Sequence, residues 1–276
     1  MNALLKKMAN LDRRIIYVLI SLAIVIPLLY PLFIEVNVNP EAKAVYDTID
    51  NLPSGSTVFL AMDFDPASKP ELYPMAEAVL RHCFSRDLKV IGMTFWVTGV
   101  GLGEKAFTDI AKEYNKQYGT DYLYLGWKAG GYALVIQMGE EGISAAFPAD
   151  HYGRETSTMP ILQKVSHLKH LDYLVELAAG GSIGTWYYYG KMKYKFKMGG
   201  GCTGVMVAGW YNLMKIDWIN GFMGGLRGAA EYEKLINKKA KATRGMDAQS
   251  VSHMLIIAMI IFGNITYFVN RAKGNK

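Results

Sequence analysis

Cysteine is scarce in this chain: Cys83 and Cys202 are the only two among 276 residues. Two cysteines close one disulfide at most, and neither stands in a Cys-x-x-Cys pair or at metal spacing with a histidine. A disulfide-stapled scaffold and a zinc module are therefore excluded. Cys83 follows His82 in an apolar helical stretch, where a buried free thiol is the expectation. Histidine is equally thin. His82, His151, His167, His170 and His253 form no H-x-x-x-H pair, and His167 and His170, three apart, read as a solvated pair. No G-x-S-x-G elbow supplies a serine nucleophile. No G-x-x-x-x-G-K-[ST] loop supplies a nucleotide site. No catalytic residue, metal or cofactor is expected from these motifs.

Net charge is also missing from most of the chain. The formal +6 belongs to the ends: Lys6, Lys7, Arg13 and Arg14 against Asp12, then Arg271, Lys273 and Lys276. The remainder is neutral, with 23 basic and 23 acidic residues. A nucleic-acid binder would carry its excess as a patch on the folded domain, so nucleic acid is an unfavoured partner. Basic termini instead flank apolar runs. Ile15–Ile34 (IIYVLISLAIVIPLLYPLFI) is twenty residues without a charge, long enough to cross about 30 Å of hydrocarbon. It exceeds the apolar core of a usual signal peptide and is followed by no small-x-small cleavage site. Met254–Val269, extended back to Val251, gives a second run of 19 residues. These are the expected transmembrane helices, 15–34 and 251–269. The basic tails, 1–14 and 270–276, then place both termini in the cytoplasm and the long segment between them outside it. Lys234, Lys238, Lys239, Lys241 and Arg244, just before the second run, cut against that orientation.

Between the runs the chain alternates strand and helix. A connector, 35–55, holds a short amphipathic helix over Glu41–Asp50, expected to lie beside the membrane, with Pro40 in its first turn. Thr57–Met62 reads as a strand, Pro70–Phe84 as a helix with apolar residues at i, i+3, i+4 and i+7, and Leu88–Phe95 as a strand buried on both faces. Glu104–Tyr118 is the next helix and Asp121–Leu125 the third strand. Tyr132–Met138 fits either element, and 139–160 is an irregular excursion. Leu171–Ala178 is a fourth strand, Ile183–Lys191 a helix and Tyr194–Met198 a strand. Gly199–Gly201 reads as a turn, and helices near 210–214 and 224–238 finish the domain. The pattern specifies an α/β fold over 56–245: a doubly wound, mainly parallel sheet of the Rossmann or flavodoxin kind.

Ligands of such sheets bind at the carboxyl ends of the strands. Asp63 and Asp65 follow the first strand and suit a metal or an acid–base pair, although helix capping explains them too. Gly99, Gly101 and Gly103 form a strand-to-helix turn on which an anion could rest, with a spacing that is not the dinucleotide fingerprint. Lys128 ends the third strand and could face the same crevice. Lys191, Lys193, Lys195 and Lys197 alternate with apolar residues and would share one face of a strand, either a charged edge or a surface for nucleic acid or anionic lipid. Gly224, Gly225 and Gly228 put small residues on one helix face, open to close packing with a neighbour. The abundance of tyrosine and methionine, 18 and 15 residues, suits protein contacts.

The stretches MDFDPASKPELYPMAEAVLRHCF, DYLYLGWKAG and GGLRGAAEYEKL, bracketed by two apolar runs, resemble a family of uncharacterised bacterial and archaeal membrane-anchored α/β proteins. That resemblance implies the fold and the membrane, and no reaction. The expected function is a non-enzymatic structural or accessory subunit of an oligomeric prokaryotic membrane complex. The alternative is a membrane-tethered enzyme or ligand-binding domain working at the crevice of Asp63, Asp65, Gly99–Gly103 and Lys128.

Overall fold

A computed structural model describes residues 12–274. They divide into two compact units, one running from Val36 to Ala242 and one made of the segments before and after it. Lys6, Lys7 and Lys276 of the basic tails lie outside the described residues.

The larger unit is an α/β fold built on six strands, β1 (Thr57–Asp63), β2 (Lys89–Thr94), β3 (Tyr122–Trp127), β4 (Tyr173–Ala178), β5 (Lys197–Cys202) and β6 (Phe222–Gly224). All pair in parallel, in the order β3-β2-β1-β4-β5-β6. This is the strand order of a Rossmann sheet, and its direction of winding reverses between β1 and β4. Every residue of β1 and of β4 is buried, so both strands are near-continuous apolar runs rather than alternating ones.

Ahead of β1 comes α1 (Arg13–Leu29), in the smaller unit, then α2 (Pro40–Asp50). The helices α3 (Lys69–Ser85) and α4 (Val100–Glu113) follow β1 and β2. After β3 come α5 (Tyr132–Glu140), α6 (Ile143–Ala146) and α7 (Pro160–Lys164). After β4, α8 (Ser182–Trp186) runs into a π-helical turn (Tyr187–Lys191) and α9 (Met192–Tyr194). Helix α10 (Val207–Lys215) follows β5, α11 (Gly225–Leu235) follows β6, and α12 (Lys241–Gly274) closes the chain. On one side of the sheet α11 packs on α3 and α2, and α3 on α4. On the other side Leu134, Val135, Ile143, Ile183, Trp186 and Trp210 cover Phe59, Ile91, Leu123 and Leu174 in a continuous core.

Several expectations change against this frame. Gly199–Gly201 is not a turn but the buried middle of β5. A Cβ on Gly200 would fall 1.9 Å from the Glu176 carbonyl oxygen, and one on Gly201 2.4 Å from Met75 Sδ. Neighbours fill the space that side chains would need, so glycine here marks close approach. The lysine stripe is lost as well. The strand starts at Lys197, Lys191 and Lys193 belong to helical turns, and Lys195 takes a left-handed backbone with φ 63°. The four lysines share no strand face. Helix α2 buries its apolar Ala42, Val45 and Ile49 on the domain itself, leaving no apolar face for a membrane surface. Both cysteines are free and buried.

In the smaller unit, α1 spans 17 residues and stops at Leu29, so the expected helix over 15–34 is corrected. Asp12 caps it by accepting the Arg14 N–H at 2.9 Å. Tyr30 precedes Pro31 and leaves the helical region, with φ −123° and ψ 84°, since a following proline disfavours the helical conformation. The N–H groups of Leu32, Phe33 and Ile34 then donate to the buried Asp247 carboxylate at 3.0, 2.9 and 2.9 Å. Helix α12 contains one segment, Lys241–Val269, long and apolar enough to cross a membrane, with mean hydropathy 1.8 in its most apolar window. It begins ten residues before the expected 251.

Candidate functional site

The sequence pairs Asp63 with Asp65; the structure pairs it with Glu176. In the β1–β4 register Ala61 lies beside Glu176 and Asp63 beside Ala178. Side chains two residues apart in a strand share a face, so Asp63 and Glu176 are diagonal neighbours at the reversal of the sheet. Both are fully buried. Asp63 Oδ1 accepts the Phe95 N–H at 2.6 Å, and the Ser182 hydroxyl donates to Glu176 Oε1. Their second oxygens, Asp63 Oδ2 and Glu176 Oε2, meet no N–H or O–H donor, and the two carboxyls act on one another. The Trp186 indole N–H, also buried and without a close acceptor, is turned toward the Glu176 carboxyl.

Burial raises the Asp63 carboxyl to about 6, against the pull of the Phe95 N–H. Burial, and then the charge of Asp63, push Glu176 well above the usual carboxylate range. Two adjacent carboxyls in a dry site cannot both ionise cheaply, so the pair holds a shared proton. Such a pair can store a proton or pass one on.

The other candidates are dispersed. Asp65 is not among the groups acting on Asp63; it accepts the N–H and hydroxyl of Ser68 at 3.0 and 2.9 Å, closing the turn ahead of α3, whose N-cap Ser68 makes no side-chain capping bond. Gly101 and Gly103 lie inside α4, which starts at Val100 rather than Glu104, and a Cβ on Gly103 would fall 2.3 Å from the Tyr124 hydroxyl. Gly99 abuts the Phe64 carbonyl, 2.5 Å from its Cβ position. Gly103 serves helix-on-strand packing and Gly99 a close backbone approach, whereas a Cβ on Gly101 would meet open space. Lys128 donates to the Ala146 carbonyl and lies 5.9 Å from the Phe147 ring centroid; it is not among the groups acting on Asp63. Gly228 packs on the Met223 backbone and Gly224 on Val207, so the small-residue face of α11 is consumed inside the domain rather than offered to a neighbour. Lys193 pairs with Glu140.

Glu176 is inconspicuous in the sequence because LDYLVELA reads simply as an apolar strand. A lone acid inside such a strand is itself a signal, since buried charge is the exception. Its partner depended on β1 and β4 being neighbours, which spacing alone does not give. Comparison with protein-family models, with curated proteins and with solved structures finds no match to this chain.

Proposed function

We propose that this protein is a membrane-anchored accessory subunit whose α/β domain works by protein contact within an oligomeric assembly. The supporting observation is an apolar outer face on the layer covering β3 to β5. Tyr132, Ile136, Tyr188, Tyr189 and Met192 are each between 38% and 56% exposed. Tyr132 and Tyr189 stack at 4.9 Å, and the Lys193–Glu140 ion pair ties the same two segments together. Beyond them Tyr187 stacks on Trp218 at 4.1 Å, next to the exposed Ile216. The segment is held by a π-helical turn, a geometry that recurs at functional positions. Contiguous apolar exposure rich in tyrosine and methionine is the composition of an interface.

The chain would be held by α12 and by α1 with its extended continuation, with both termini in the cytoplasm and the domain outside. The lysines just before the second span count against this less than their number suggests. Lys238 is paired with Glu113 at 2.6 Å and Lys241 with Glu77 at 2.7 Å, so they are neutralised by the domain rather than by lipid. The experiment is purification in mild detergent with size measured by light scattering. The proposal expects an assembly larger than one chain that dissociates in a Tyr188→Glu/Tyr189→Glu variant. A wild-type monomer at micromolar concentration contradicts it.

A second reading, a tethered enzyme or ligand-binding domain, draws on the convergence of Asp63 and Glu176 at the sheet reversal, the place where such sheets bind ligands.

A further inference from the structure

A separate cavity of about 430 Å³ opens at the carboxyl end of β3, within the size range of small-molecule sites. Its walls are Trp127, Lys128, Phe147 and His151, with Val100 at the start of α4 across from them. The backbone is shaped for it. Gly126 has φ +76°, and a Cβ there would stand 3.1 Å from His151 Nδ1. Glycine thus lets the imidazole close on the strand end, while the turn carries Trp127 and Lys128 to the rim. Trp127 donates its indole N–H to the Phe95 carbonyl at 3.1 Å, which fixes the ring and leaves it 43% exposed.

Two charged residues line the cavity, Lys128 and Asp150, and Lys128 is the one with donors to offer. One of its three ammonium protons goes to the Ala146 carbonyl, leaving two free to donate. The neighbouring acids are engaged elsewhere. Asp150 accepts the Tyr118 hydroxyl at 2.6 Å and the N–H groups of Tyr152 and Arg154 at 2.8 Å. Glu104 accepts the Tyr152 hydroxyl at 3.1 Å. Arg154 lies over the Tyr118 and Tyr152 rings. A cation with spare donors, an imidazole edge and two aromatic walls select a ligand with an anionic head and a flat apolar body.

We infer that this cavity binds a small aromatic anion, its phosphate or carboxylate on Lys128 and its ring against Trp127 and Phe147. Neither Asp63 nor the apolar outer face takes part, so this site stands apart from the contact function.

The test is titration of the detergent-solubilised full chain with benzyl phosphate, benzyl alcohol and inorganic phosphate, followed by saturation-transfer NMR and calorimetry. Benzyl phosphate is expected to bind saturably and more tightly than either fragment. Lys128→Met should weaken it about tenfold or more, the scale of a lost hydrogen bond to a charged group. Trp127→Ala should weaken benzyl phosphate while leaving inorganic phosphate unchanged. Both side chains lie at the rim, and an unaltered melting temperature establishes that the variants are folded. Equal binding of benzyl alcohol and benzyl phosphate would overturn the inference. So would affinity indifferent to both substitutions, or no saturable binding by any of the three.

Discussion

Replacing Asp63 by Asn should stabilise the protein in alkaline buffer and do little in acid. Burial lifts the folded-state value of Asp63 from 3.8 to about 6 and lifts Glu176 as well. For an acid raised on folding, the stabilising contribution is complete below the unfolded value and disappears as pH climbs through the folded one. The shift from 3.8 to about 6 corresponds to about 3 kcal/mol by pH 8, at about 1.4 kcal/mol per unit. Asn keeps an oxygen for the Phe95 N–H and turns an amide donor toward Glu176, so the repulsion goes without loss of the bond. For a domain running from Val36 to Ala242, each kcal/mol moves the midpoint by about 2–4 °C. The variant should therefore melt roughly 6–12 °C above wild type at pH 8, converted on the same scale, and close to wild type at pH 3, below the unfolded value of 3.8. Thermal unfolding of the solubilised full chain, followed by near-ultraviolet circular dichroism at both pH values, reads this directly. An equal shift at the two pH values, or destabilisation at pH 8, would refute the shared-proton account of the pair.

Three further outcomes follow, from the smaller unit, from the cysteines and from the orientation of the domain. Asp247→Ala strands the N–H groups of Leu32, Phe33 and Ile34. At about 1–3 kcal/mol for each unsatisfied donor, limited proteolysis should show faster cutting within 30–35. Cys83 and Cys202 are buried, and burial pushes the Cys202 thiol up to about 12. A maleimide should leave the folded wild type unlabelled. In a Ser54→Cys variant, at an exposed position, a membrane-impermeant maleimide added to intact cells should label the new thiol. Labelling only after lysis would reverse the orientation.

The parallel sheet was legible because β1, β2 and β4 are apolar runs separated by amphipathic helices, and buried strands have that composition. The helix after β1 matches its expected bounds to within one residue at each end, whereas the next one ends at Glu113, five residues short of Tyr118; other boundaries shift further. They failed at Gly199–Gly201, where glycine answers to the Tyr173 and Met75 side chains and the Glu176 backbone rather than to a turn. Local sequence cannot announce a crowd of distant neighbours. Position 132–140 was ambiguous by periodicity and resolves as α5 because it covers the sheet with Leu134, Val135 and Met138. Half of the buried carboxyl pair was legible. Asp63 stands out at a strand end, whereas Glu176 acquires its meaning from register across two strands that are far apart in sequence. Asp247 was invisible for the same reason, since its partners lie 213–215 residues away.

The contact role rests most heavily on the face formed by Tyr132, Tyr188 and Tyr189. The measurement that tests it most directly is photo-crosslinking in native membranes, with a benzoyl-phenylalanine placed at Tyr188 and, as a control, at the exposed Lys112 on the opposite layer. The account predicts a discrete higher-mass adduct from position 188 and none from position 112. Illumination that yields only the single chain at both positions would contradict it.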